Sequence, residues 1–336
     1  MHGRVRGRLL ASTAILRAAM AVPRAVTITW PLLIIELRSD ENEWVGVRVG
    51  LSGWSYSSWK GNFYPVGLKE RDFLSHVGSH FSTVEINGTF YSLQKPQSFA
   101  TWSRQVPDDF VFAVKGGRYI THLKRLRNAE TAVANFFASG VLTLGGKLGP
   151  LLWQLPPQLA FDAALIEGFL ELLPRTVGEA VALAARRDPR VVPEINVGGS
   201  GKQVLRHAFE VRHSSFLVPE FIALLRTHNA ALVFADSGSD WPYAEDLTAD
   251  FAYVRLHGTP KLYRSQYEEG ALRFWGDRIA KWSAGQQPSD AAVVGSVSPD
   301  GNPRDVFVYF DNDAEGHAPF DAMRLSALLT EAQNTG

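Results

Sequence analysis

The 336-residue sequence has no cysteine. That removes disulfides, thiol nucleophiles, Cys-ligated zinc and iron–sulfur clusters together. An excess of either charge is also missing: Lys+Arg and Asp+Glu each total 34, so the formal net charge is +0. Nothing in that balance announces a nucleic-acid or anionic-membrane partner, although a local basic patch is compatible with it. Long apolar runs are absent too. "PLLII" near the N-terminus is far too short to cross a bilayer, and nothing later reaches the length of a membrane helix, so no membrane partner is expected. A reducing cytoplasm fits this composition and is the expected location.

What is present is enough apolar material for a large core. With 46% hydrophobic and 20% charged residues, the chain suits one large α/β barrel or two ordinary domains. The first 45 residues read differently, as an Arg-rich appendage opening "MHGRVRGRLLASTAILRAAMAV". Its apolar part is interrupted by Arg17 and has no clean cleavage site, which weakens a signal-peptide reading. A disordered extension, a targeting presequence or an over-long gene start are the readings left.

From residue 46 to 333 the chain reads as one domain of alternating strands and helices. Period-two runs predict strands at about 47–53, 83–88, 110–116, 149–155, 207–213, 231–237, 251–258 and 306–312. Amphipathic segments between them predict helices, with Pro96 and Pro219 near two helix starts and Asp162 ahead of a third. "NAETAVANFFASGVLTLG" reads as a single helix. The series closes most naturally as a TIM-type (β/α)8 barrel, an open doubly wound sheet being the alternative. No glycine-rich dinucleotide fingerprint follows the first strand, which weakens that alternative. The connection "GSDWPYAEDLTAD" is too short and turn-rich for a full helix, so one βα unit lacks one. "NVGGSGK" lacks the spacing of a phosphate loop and reads as a surface turn.

Strand parity then sorts the polar residues. Glu85 and Asn87, Lys115, Gln154, Glu210 and Arg212, Phe234 and Asp236, and Tyr253, Arg255 and His257 share the inward parity, while their neighbours are mostly apolar. These polar residues gather at strand C-termini, where barrel enzymes build their sites. A structural ion-pair layer, with Glu210 facing Arg212 or Arg255, is the competing account. His213 has the opposite parity. A metal held by His257, Asp236 and Glu210 is opposed by the neighbouring cations, and no metal or other cofactor is expected. Aromatic residues crowd the loops after the first two strands, Trp54 and Tyr56 among them, and suit a ring-bearing ligand as well as a barrel cap.

Taken in order, "GLSGWSYSSWKGNFYP", "FSTVEINGTFY", "ITHLKRL", "LGPLLWQLPP", "FEVRHSSF", "YVRLHG" and "VFVYFDN" make residues 47–332 resemble the domain-of-unknown-function family 72. The resemblance implies a TIM-type barrel and supplies no reaction. Gly88 departs from it, standing where relatives carry a small hydroxyl residue, and the first 45 residues lie outside it.

The residues themselves predict an acid/base hydrolase acting on an anionic or polyhydroxylated small molecule at the barrel mouth, with lyase or isomerase chemistry next in line. Glu85, Glu210, His257 and Asp236 are the expected catalytic groups. Trp54, Tyr56, Asn87, Lys115, Gln154, Arg212 and Arg255 are the expected ligand-binding groups. A non-catalytic protein binding a nucleotide or nucleic-acid fragment in the same pocket is the alternative. The sequence fixes no oligomeric state.

Overall fold

In the computed structural model, which describes residues 35–38, 44–192, 200–296 and 300–334, one continuous sheet runs through the chain in sequence order. Its strands are β1 (Ile35–Arg38), β2 (Trp44–Ser52), β3 (Thr83–Ile86), β4 (Val111–Lys115) and β5 (Leu148–Gln154). They are followed by β6 (His207–Glu210), β7 (Ala230–Asp236), β8 (Phe251–Leu256) and β9 (Asp305–Phe310). From β2 to β9 all neighbours are parallel, and β9 pairs back onto β2 from Val47↔Val306 to Leu51↔Phe310. That pairing closes an eight-stranded TIM-type barrel. The predicted eight strands are all present.

Closure divides the side chains into two layers. Val84, Ile86, Trp153, Phe209, Val254 and Phe310 face outward and join the large core shared with the helices. Ala113, Leu152, Ala208, Ala231, Val233, Phe251, Tyr253, Phe307 and Tyr309 belong to a separate apolar cluster that fills the barrel interior. Small residues on β7 and β6 make room there for the rings of β8 and β9. Predicted parity fails on β7, where Val233 and Ala235 point inward and Phe234 packs its ring 4.6 Å from Trp282 on the outside. Both faces of "AALVFAD" are apolar, so a period of two cannot say which one is inside.

The helices that cover the barrel start where local chemistry says they should. Asp162 accepts from the Leu165 amide to cap α5 (Ala163–Leu172), with α1 to α4 at Phe73–Gly78, Gly88–Tyr91, Pro96–Arg104 and Glu130–Ala138 before it. Thr176 caps α6 (Val177–Ala184) in the same way. Pro96 and Pro219 take the first positions of α3 and α7 (Pro219–Thr227), where a missing N–H costs nothing. α8 (Glu269–Ser283) and α9 (Ala318–Asn334) complete the ring, and residues 237–250 contain no helix, as predicted.

Two expectations need correction. The single helix expected over 128–145 ends at Ala138, because Gly140 sits at φ 107° and a Cβ there would lie 2.6 Å from the Pro96 Cα. The chain continues as a short 3-10 segment to Lys147. The second concerns the N-terminal appendage, which contributes β1, antiparallel to the first half of β2 from Ile35↔Val47 to Arg38↔Trp44. Most of "NVGGSGK" lies outside the described residues.

Candidate functional site at the C-terminal barrel mouth

Arg255, next to last in β8, is fully buried and sits at the centre of an ionic layer. Its Nη2 donates to Glu85 Oε1 at 2.8 Å and to Asp311 Oδ2 at 3.0 Å, while its Nη1 donates to Glu210 Oε2 at 2.6 Å. Glu85 also accepts from the Ser52 hydroxyl and the Tyr253 phenol, each at 2.6 Å. Burial and the Glu85 charge hold that phenol protonated, as a donor must be. Glu210 accepts further bonds from Gln154 Nε2 at 2.8 Å and Arg212 Nε at 2.9 Å. Burial alone would raise the Glu210 pKa, yet Arg255 and Arg212 hold it well below the usual carboxylate range. Asp311 behaves alike: burial is outweighed by Arg255 and His257, which hold it at about 2. His257 is fully buried, with Nδ1 3.0 Å from Asp311 Oδ2 and Nε2 3.9 Å from Glu210 Oε2. Three carboxylates thus surround one guanidinium, and the oxygens of Glu85 and Glu210 and Oδ2 of Asp311 are occupied.

Above this layer opens a cavity of about 680 Å³. Its charged lining is Lys115, Arg118, Arg212 and Asp311, and Asp311 is already engaged below. Arg212 is anchored on Glu210 and lies over Trp241, its guanidinium carbon 3.6 Å from the ring centroid. Lys115, the last residue of β4, places its ammonium 4.6 Å from the centroid of Phe90. Among the described residues that ammonium has no hydrogen bond and no ion pair, whereas Lys147 donates to two carbonyls and Lys60 pairs with Glu70. Burial, reinforced by Arg255 and opposed by Glu85, Glu210 and Asp311, brings Lys115 down to about 8. His122 is brought down to about 4 by burial and by the cations Arg212, Lys115 and Arg118, so its ring is neutral near pH 7. Trp54, Trp102, Tyr56 and Tyr263 wall the remaining sides.

Trp54, Tyr56, Asn87, Lys115, Gln154 and Arg212 therefore line the cavity, while Glu85, Glu210, Arg255 and His257 lie buried beneath it, outside its lining. Asp236 is not with them. It follows the corrected parity of β7 outward and accepts from the Tyr267 hydroxyl at 2.8 Å, so the trio considered for a metal is not assembled. His213 caps the short turn Ser214–Phe216 and lies away from the cavity. Sequence reasoning missed Asp311, although extending the Phe307, Tyr309 alternation by one step reaches it. It also missed Arg118 and His122, from the short helical turn Tyr119–Leu123 and its start, and Trp241 and Tyr263, from loops, none of which obeys a strand period.

The model of a protein family described as "Protein of unknown function DUF72" matches residues 48–335. The chain is 24% identical over 240 residues to the UPF0759 protein YecE of Escherichia coli strain K12, covering 70% of this chain and 82% of that one. It is 27% identical over 116 residues to the UPF0759 protein YunF of Bacillus subtilis, covering 33% and 40%. Among solved structures, a DUF72 family protein from Thermotoga maritima superposes with a TM-score of 0.63 at 25% identity, covering 84% of this chain and 99% of the other. One from Enterococcus faecalis reaches a TM-score of 0.60 at 16% identity, over 84% and 95%, a likeness of fold. Family model, relatives and barrel agree over the same stretch of sequence, and the chain belongs to the DUF72 family of proteins of unknown function.

Proposed function

We propose that the cavity binds a small anionic molecule, a carboxylate or phosphate, through Lys115, Arg118 and Arg212, with the aromatic walls taking its apolar or ring portion. One observation carries this reading: a buried lysine ammonium that among the described residues makes no hydrogen bond and no ion pair fronts an open cavity that two guanidinium groups share. Burying a cation without a partner is costly, and a bound anion offsets that cost. Arg212 is preorganised for the task, since Glu210 fixes its Nε and Trp241 fixes its plane.

If the protein acts on its ligand, hydrolysis in a cytoplasmic setting is the reaction class the sequence favours, but its proton carriers need reassignment. Glu85 and Glu210 are saturated with donors, and Arg255 and Arg212 hold Glu210 ionised, which suits a scaffold better than a general acid or base. Lys115 and the neutral His122 face the cavity and exchange protons more readily. Thermal melts of the full chain with inorganic phosphate and with short carboxylates test the binding step. Saturable stabilisation that Lys115→Met and Arg118→Met each reduce is expected. Equal stabilisation of wild type and both variants, or none in any, would defeat the reading.

A further inference from the structure

Lys115 differs from a plain anion ligand in its setting. Its Nζ is held at the end of a rigid strand, buried yet open to the cavity, with one face against the Phe90 ring. Among the described residues no group is hydrogen-bonded to Nζ, so no protein donor engages its lone pair once the proton leaves. The charged groups acting on it are Arg255, Glu85, Glu210 and Asp311, with His122 across the cavity. The carboxylates are turned toward Arg255, so none forms an ion pair that would lock Lys115 as an ammonium. An amine so placed is a nucleophile toward carbonyl carbon.

We propose that Lys115 forms an imine with the carbonyl of a short oxo acid whose carboxylate is held by Arg118 and Arg212. This rests on the anion-binding reading of the same cavity. The Nζ lone pair forms the C–N bond, the carbonyl π pair moves to oxygen, and that oxygen takes a proton. The resulting carbinolamine expels the oxygen as water after a second protonation, and the nitrogen lone pair closes the C=N bond. Nζ gives up its protons over the same steps, so atoms and charge balance without oxidant or reductant. The Tyr263 hydroxyl and the neutral His122 ring line the cavity and pass these protons.

The experiment incubates the full chain with pyruvate or glyoxylate, reduces with sodium borohydride, and reads intact mass and a peptide map. One reduced adduct on the peptide carrying Lys115 is expected, absent without the oxo acid and absent from Lys115→Arg. Should Lys115→Arg fail to fold, Lys115→Met serves as the control, and the wild-type map still assigns the attachment site. An adduct spread over exposed lysines with no enrichment at Lys115, or no adduct, overturns the proposal. Phosphate melts run in parallel separate the two failures. A protein that phosphate stabilises but that forms no adduct binds anions without imine chemistry, whereas absence of both effects removes the anion-binding reading as well.

Discussion

Two arginines that the sequence groups together have different duties. Arg255 is fully buried against Glu85, Glu210 and Asp311, so Arg255→Met would remove the guanidinium the three carboxylates share and leave Glu85 without an ion pair among the described residues. Breaking a buried pair of this kind costs about 3–5 kcal/mol, and urea melts of Arg255→Met are expected to lose at least that much. Arg212 gives Glu210 one bond while Arg255 and Gln154 supply others, so Arg212→Met is expected to cost about 1–2 kcal/mol. Anion affinity should fall at least tenfold in that variant, read by calorimetric titration. Equal stability losses in both variants would contradict the division of labour. Lys115 adds a pH signature with two opposite signs. As pH rises through about 8 its positive charge is lost, so phosphate affinity falls, while the neutral amine that attacks a carbonyl becomes more abundant and borohydride trapping rises. A phosphate affinity that stays flat between pH 7 and 9 would remove Lys115 from the anion site.

At the scale of elements, the barrel separates parts that hold the fold from parts that present the site. Asp162 caps α5 from the exposed surface, well removed from the cavity, and Asp162→Ala is expected to cost about 1 kcal/mol in denaturant melts without altering phosphate binding. The helix-free connection 237–250 does the opposite. It carries Trp241, on whose face Arg212 lies, and Trp241→Ala is expected to weaken phosphate binding several-fold, by about 1 kcal/mol, through loss of the orienting plane. A Trp241→Ala protein with unchanged affinity would show that Glu210 alone orients Arg212.

For the whole molecule, closure is the decisive feature. The parallel pairing of β2 with β9 closes the barrel from Val47 onward, and β1 meets β2 only along Trp44–Val47, ahead of the residues β2 shares with β3. A chain lacking residues 1–43 is therefore expected to keep a single cooperative thermal transition, with a lower midpoint from the loss of the β1 ladder. A broad or absent transition in calorimetry would make β1 part of the folding unit.

The eight parallel strands, the missing helix between β7 and β8, and six residues that line the cavity are legible in the sequence alone. They are so because parallel strands alternate strictly between a helix-packed face and an interior, and because polar residues survive in such an interior chiefly at the strand ends. "FEVRH" is legible in this way: Phe209 outward, Glu210 inward, Arg212 beyond the strand end. Three matters were decided only by tertiary structure. On β7 two apolar faces left orientation to packing, and the bulk of Phe234 against Trp282 turned Asp236 away from the cavity. Arg118, His122, Trp241 and Tyr263, all outside the strands, reached the cavity through barrel closure, which no local period encodes. Whether a charge is scaffold or site also depends on its partners in space. Glu85 and Lys115 share the same inward parity, yet one is surrounded by donors from two other strands and the other faces the open cavity without an acceptor.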